Sequence, residues 1–371
     1  MKNIAVGIEA QDNGRLNQKL TPDPGQRHRR SVLVGTLVTA GIAIAVLAWA
    51  KWYPYALKIP LVAGSHSLGS SVLSGKASAP PSPSWNAAVE YSLAYVASIW
   101  QALVAGLLVA AAVEAFLPAR RLLALFQARR GPAVSTVCGG LLSMSSMMCT
   151  CCAAPVALNI RRRGVPVSSA LAYWLGNPVL NPAALAFMAF VLPWQFVAVR
   201  VGTGVVLVFG VTLLVGRLAK ATSVAEPEDQ PAGSGTAAGA VRRFARALVR
   251  LAVRLLPEYA VVVMLLGGFR GWLFPEAGTL ASWGLPAAVL LAVVGTLFVI
   301  PTAAEIPILG ALMAAGVGMG PLGALVLTLP ALSLPSMLMV RGAFPGRVIV
   351  AMGFAVMGMG LVGALIMTAL T

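Results

Sequence analysis

Met148-Cys149-Thr150-Cys151-Cys152-Ala153-Ala154-Pro155 lies inside an apolar segment, residues 133–160. Arg129 and Arg130 stand before it and Arg161, Arg162 and Arg163 after it. Basic residues mark the cytoplasmic ends of membrane segments, so both ends of this segment are expected on one side. Two full spans need about 40 residues, more than the segment holds. It is therefore predicted to enter the bilayer, turn at Cys149–Pro155 and leave on the side it came from. Irregular backbone at membrane depth survives only where it is packed in protein or lines a wet cavity. Three soft sulfur atoms at such a turn point to something held in transit.

Composition agrees with a membrane reading. The 371-residue chain is 58% hydrophobic and 10% charged, whereas a soluble domain carries about 25% charged residues. The net charge of +16 forms no basic face with interleaved aromatics, so nucleic acid is not an expected partner. With the N-terminus cytoplasmic, 22 of the 27 lysines and arginines fall in segments 1–30, 118–131, 161–163, 217–256 and 341–347, all inside. Lys51 then marks a helix edge, and Lys58 and Lys76 lie outside. The expectation is a multi-pass protein of the inner (cytoplasmic) membrane, in contact with the lipid bilayer. Four cysteines, three in one tetrapeptide, do not make a secreted disulfide framework.

The predicted organisation is a disordered cytoplasmic tail (1–30) and an N-terminal transmembrane helix (31–52) with an aromatic edge at Trp49, Trp52 and Tyr53. An extracytoplasmic loop (53–84), a first repeat (85–219), a cytoplasmic linker (220–255) and a second repeat (256–371) follow. The apolar run at 32–50 is longer than a cleaved signal segment, so the first helix is expected to be kept.

A shift of 152 residues superposes Pro155 on Pro307, Gly164-Val165 on Gly316-Val317, Ala172 on Ala324, Leu175 on Leu327, Pro178 on Pro330 and Leu180 on Leu332. Asn181-Pro182 falls over Ser333-Leu334-Pro335 with a one-residue slip. Three of the identities, at Pro155, Gly164 and Pro178, fall on Pro and Gly, where backbone shape is set. The first copy carries Arg161-Arg162-Arg163 before its Gly-Val pair and the second carries uncharged Met313-Ala314-Ala315. The two copies are therefore expected to enter from opposite faces. The fold class is an all-α polytopic membrane protein, built as an inverted-topology repeat with two re-entrant, broken-helix segments and an extra N-terminal transmembrane helix. Transporters bind solute where such broken elements meet.

Candidate solute-binding residues follow from this arrangement. Thiolates of Cys149, Cys151 and Cys152 suit a thiophilic partner such as Cu(I), zinc or a trivalent metalloid. If Pro155 begins a half-helix, its free N–H groups face the sulfurs. Small inert cysteines filling a tight turn are the alternative. Cys138 reads as packing, and so do Met144, Met147 and Met148. Glu305, in the second turn, has no basic neighbour in sequence. It is a candidate for proton coupling or cation attraction, or a partner for free backbone N–H groups. Asn177, Asn181 and Ser333 flank the proline breaks, where they either replace lost backbone hydrogen bonds or line the path. Glu90, Glu114, Glu258, Arg200 and Arg270 read as helix-end residues that snorkel to the interface. His66 receives no role. Gly233-Ser234-Gly235 has no P-loop lysine, and no Ser/His/Asp set shares one depth. Neither an enzyme nor a cofactor is expected.

Glu114-Ala-Phe-Leu-Pro118, Cys149-Thr-Cys-Cys-Ala-Ala-Pro155, Arg163-Gly-Val-Pro166 and Asn177-Pro-Val-Leu-Asn-Pro182 resemble the predicted permeases typified by ArsP, exporters of trivalent organoarsenicals. The second-half echo, Glu305-Ile-Pro307 to Pro330-Ala-Leu-Ser-Leu-Pro335, is similar, and the resemblance covers roughly residues 90–370. It implies an inner-membrane permease whose vicinal cysteines, Cys149, Cys151 and Cys152, meet As(III). The expected function is secondary efflux of a soft, thiol-reactive metalloid or organic solute. The rivals are a permease for another small solute or metal ion with structural cysteines, and a non-transporting membrane thiol or scaffold protein.

Overall fold

The computed structural model describes residues 24–69, 81–219, 237–274, 278, 280 and 283–371. The first 23 residues of the expected tail, residues 70–80 of the expected outer loop and residues 220–236 of the expected linker lie outside the described residues. Every regular element among the described residues is helical.

Helix α1 (Pro24–Leu47) runs through a π-helical turn (Ala48–Trp52) into α2 (Tyr53–Ser65). The predicted bounds at 31 and 52 are therefore corrected: residues 24–30, expected as disordered tail, and 53–65, expected as loop, are helix. Pro54 and Pro60 lie inside this continuous helical run, where each missing N–H leaves a carbonyl of the preceding turn without its helical donor. The helix stops at His66, whose backbone is left-handed at φ 49° and whose Nδ1 lies 2.7 Å from the Phe190 carbonyl. His66 thus closes and tethers this end.

Helix α3 (Trp85–Phe116) begins under a Ser84 cap whose Oγ accepts the Ala87 N–H at 3.1 Å. It packs along α10 (Ala237–Gly268). On α10, Ala247, Leu251, Leu255, Tyr259 and Val263 are buried at four-residue spacing, and Tyr91, Tyr95 and Ile99 repeat that spacing on α3. Two i, i+4 ridges of this kind interlock. The stripe explains why residues 237–255, expected as linker, continue without a break into the predicted helix at 257.

Between these long helices the chain folds into half-length pieces. Helix α4 (Pro132–Ser146) and α5 (Thr150–Arg162) are each about 20–22 Å long, short of a hydrocarbon core of about 30 Å. After them come α6 (Val167–Val179), α7 (Pro182–Val191), α8 (Trp194–Val205), a π-helical turn (Val206–Val211) and α9 (Thr212–Leu218). The order of lengths recurs beyond α10. Helix α11 (Leu285–Leu297) and α12 (Glu305–Ala314) are again short, followed by α13 (Met319–Ala331), α14 (Leu334–Val340) and the long α15 (Gly346–Ala369).

The backbone echoes the 152-residue shift. Gly164 and Gly316 sit at φ 90° and 84°, a conformation that only glycine adopts cheaply. Each is followed by a valine whose N–H reaches back five residues, Val165 to the Ile160 carbonyl and Val317 to the Leu312 carbonyl. The breaks at Leu180–Asn181 and Leu332–Ser333 fall at the same offset.

Among the described residues six helices are long and apolar enough to cross a membrane: Val32–Ser65, Trp85–Phe116, Val167–Val191, Trp194–Leu218, Met319–Val340 and Gly346–Ala369. The span expected at 257–274 lies largely in the second half of α10, which is not among the six. Within the apolar stretch of each span, 11% of the residues are buried in the first and 83% in Met319–Val340. The N-terminal helix therefore lies at the periphery, and the broken elements form the centre.

Candidate functional site

The sulfur turn is built by a helix start. Met147 holds a left-handed φ of 49°, which ends α4. Cys149 then caps α5 from an extended conformation. The helix begins at Thr150, five residues before Pro155, so the expectation that Pro155 starts it is corrected. Pro155 lies inside α5, where its missing N–H leaves the Cys151 carbonyl without a helical donor. Cys151 and Cys152 fall in the first turn, among N–H groups that have no carbonyl partner within the helix.

All three cysteines are free and buried. Cys149 Sγ is 2.9 Å from Cys152 Sγ and 3.5 Å from Cys151 Sγ, and the three sulfurs lie within 4.8 Å of one another. With metal–sulfur bonds of about 2.3 Å, tetrahedral thiolate ligands stand about 3.8 Å apart. The cluster can therefore close on one soft centre by rotamer adjustment. Cys138 is half-buried on α4 and outside this cluster.

Two tyrosines orient the cluster. Tyr259 donates to the Tyr95 hydroxyl at 2.8 Å, and Tyr95 OH lies 3.3 Å from Cys151 Sγ. The phenol that accepts from Tyr259 is thus held against Cys151, where either the hydroxyl or the thiol can donate. One turn earlier on α3, Tyr91 OH donates to the Val299 carbonyl at 2.5 Å. Adjacent turns of α3 thus touch both broken elements. Gly106 makes the close approach possible, because a Cβ there would run into the Cys152 carbonyl.

The second broken element ends α11 at Leu297 and turns through Ala303, a left-handed alanine at φ 67°, into α12. Glu305 is the first residue of α12 and is 1% exposed. Its Oε1 accepts from Arg200 Nη1 at 2.6 Å, and its Oε2 has no protein partner. Arg200 is fully buried, and its Nε and Nη2 donate to the Val179 and Pro178 carbonyls at the end of α6. Arg200 does not snorkel. The pair joins an acid at a helix N-terminus to a cation at a helix C-terminus, the sign each dipole favours. Arg270 is also buried, held by the Ala87 and Gly267 carbonyls at 2.6 and 2.9 Å. Glu114 and Glu258 pair with Arg250 and Arg341, which are well exposed, and Glu90 is exposed.

The remaining expected site residues divide. Asn177 accepts from Ser146 Oγ and from the Met148 N–H (3.3 Å), which ties down the first break. Asn181 caps α7 by accepting the Ala183 and Ala184 N–H groups at 3.0 and 3.2 Å, and its Nδ2 has no protein partner. Ser333 caps α14 and lies 3.3 Å from Thr150 Oγ1, so the sulfur turn touches the break before α14. Pro182 and Pro335 fall in the first turns of α7 and α14, and Pro307 is the third residue of α12. Pro178 and Pro330 each precede a break.

Reading the chain alone gave no site role to Tyr95, Tyr259 or Thr302, and misread Lys51 as a helix-edge residue and Arg200 as a snorkelling one. Arg200 carried a usable signal, an ionisable residue in an apolar run. Lys51 is no edge residue. It is 6% exposed, and its Nζ donates to Thr302 Oγ1 at 3.1 Å and to Tyr55 OH at 3.2 Å. Its neighbour Trp52 donates Nε1 to the Ser145 carbonyl at 2.8 Å. Consecutive residues of the N-terminal helix therefore reach the two broken elements.

A helical, multi-pass membrane protein with broken helices converging on a buried polar centre belongs to the transporter class. Residues 84–369 match the ArsP_1 family model, described as predicted permease, and the chain belongs to that family. It is 44% identical over 311 residues to the UPF0718 protein YraQ of Escherichia coli (strain K12), covering 82% of this chain and 87% of that protein. No solved structure matches it. The N-terminal helix lies before the family-matched region.

Proposed function

We propose that this permease is a secondary exporter of a soft, thiol-reactive solute, most specifically trivalent arsenic or an organoarsenical, across the inner membrane with its N-terminus cytoplasmic. The observation that carries the reading is three buried cysteine sulfurs within 4.8 Å of one another at the break between two half-length helices. The solute exchanges its ligands onto two or three of these thiolates at a re-entrant turn. The two halves are an inverted repeat, and rocking of one against the other exposes the solute to the far side. Thr150 against Ser333, and Arg200 against Glu305, are contacts across which the halves part. Glu305, Asn177, Asn181 and Ser333 border the path.

The test is metalloid accumulation in cells with and without the protein, repeated with Cys149, Cys151 and Cys152 all changed to serine. Lower accumulation with the intact protein and loss of the effect in the triple variant are expected. Metalloid efflux that survives the triple variant would count against cysteine coordination, and flux of another solute in a transport screen, with no effect on metalloids, would favour a permease for that solute with structural cysteines. Reversible thiol oxidation without flux in proteoliposomes would favour a non-transporting thiol protein.

A further inference from the structure

We propose that the N-terminal helix and the second broken element form an anion-receiving vestibule beside the sulfur cluster, with Lys51 as its principal charge. The proposal stands on residues other than the cysteines.

The local backbone comes first. Lys51 lies in the π-helical turn Ala48–Trp52. A π turn inserts one residue into an α-helix and re-aims its neighbours, and such turns are frequent at functional sites. Here the turn carries the lysine into a cavity of about 400 Å³ that Lys58, Ser98, Gln101 and Thr302 also line. Ala303, one of the few left-handed non-glycine residues in the described chain, forms part of its wall. Backbone strain of this kind persists where the surroundings hold it, commonly at binding sites.

The charge comes next. A buried ammonium is costly unless paired. Among the described residues no carboxylate is in ion-pair contact with Lys51. Its hydrogen bonds go to two neutral hydroxyls, which leaves one of its three N–H donors free. The titratable groups that interact with it are Tyr55, Cys149 and Cys152. No aspartate or glutamate lines the cavity, and Lys58 adds a second positive charge. With Cys149 and Cys152 in their neutral thiol form, the field repels a free metal cation and attracts a negative group, which Lys51 and Thr302 Oγ1 would hold. The chemistry recognised is a small anionic group, carried either by an inorganic oxyanion or by the carboxylate of an organic solute.

The test uses the full-length protein purified in detergent, with equilibrium dialysis against labelled sulfate and, separately, labelled succinate at fixed ionic strength. Saturable binding of one or both probes is expected, and the probe that binds names the source. Lys51→Met is expected to weaken binding at least tenfold, and Lys51→Arg to restore most of it. Should Lys51→Met fail to fold, Thr302→Val and Lys58→Met carry the comparison, each with a smaller loss expected. The variant with all three sulfur-turn cysteines changed to serine is expected to keep anion binding, so failure of the sulfur reading leaves this proposal standing. Absence of saturable binding of either probe, or unchanged affinity in the lysine and threonine variants, overturns it.

Discussion

Arg200 and Glu305, 105 residues apart in sequence, meet through a 2.6 Å ion pair that solvent does not reach. The guanidinium also binds the last carbonyls of α6, while the carboxylate opens α12. One interaction therefore fixes the end of one broken element against the start of another. Removal of either partner strands the other charge. Glu305→Gln and Arg200→Met are each expected to cost about 3–5 kcal/mol. The double variant Arg200→Met/Glu305→Met is expected to lose less than either single one. Thermal unfolding of the detergent-purified protein measures this, and strictly additive losses would refute it.

The sulfur cluster predicts a sharp difference among the four cysteines. If the proposed function holds, Cys149→Ser, Cys151→Ser and Cys152→Ser each remove one sulfur of the proposed ligand set and are expected to weaken arsenite binding at least tenfold. Cys138→Ser, outside the set, is expected to leave it unchanged. Titration calorimetry on the purified variants reads both, and equal effects at all four positions would contradict the site.

Gly106 lets α3 lie against the carbonyl of Cys152. Gly106→Val drives a side chain into that carbonyl and is expected to destabilise the protein by about 1–3 kcal/mol. Because α3 also carries Tyr95, arsenite affinity is expected to fall with it. A variant that unfolds and binds like the parent would show that the close approach is not needed.

Ala303 holds a left-handed backbone at the second turn. A Cβ in that region costs about 1–2 kcal/mol, and glycine regains part of it. Ala303→Gly is expected to stabilise the protein by about 0.5–1 kcal/mol, read as a raised unfolding temperature. A lowered one would mean the alanine methyl packs better than the strain costs.

Much of the architecture was legible before any coordinates. Pro178, Pro182, Pro330 and Pro335 lie beside breaks, since a ring without an N–H costs a helix one of its hydrogen bonds, whereas Pro155, read the same way, lies inside α5. Gly164 and Gly316 mark turns because they adopt positive φ freely. Cys149, Cys151 and Cys152 were bound to lie together, being neighbours at a helix start. These rules act within a few residues, so a linear reading captures them.

What the linear reading could not supply is which polar residue faces which. Arg200 looked like an interfacial arginine and Lys51 like a helix-edge lysine, because hydropathy averages over a helix and does not say which side turns inward. The π turn that re-aims Lys51, the four-residue ridges that join α3 to α10, and the partners of Glu305 depend on how helices pack. Sequence alone determined the apolar segments, their breaks and the sulfur cluster, since each follows from local backbone chemistry and the need to satisfy peptide groups in lipid. The tertiary structure alone decided burial and pairing of the charges, because the energy of an ionisable group depends on what surrounds it in space.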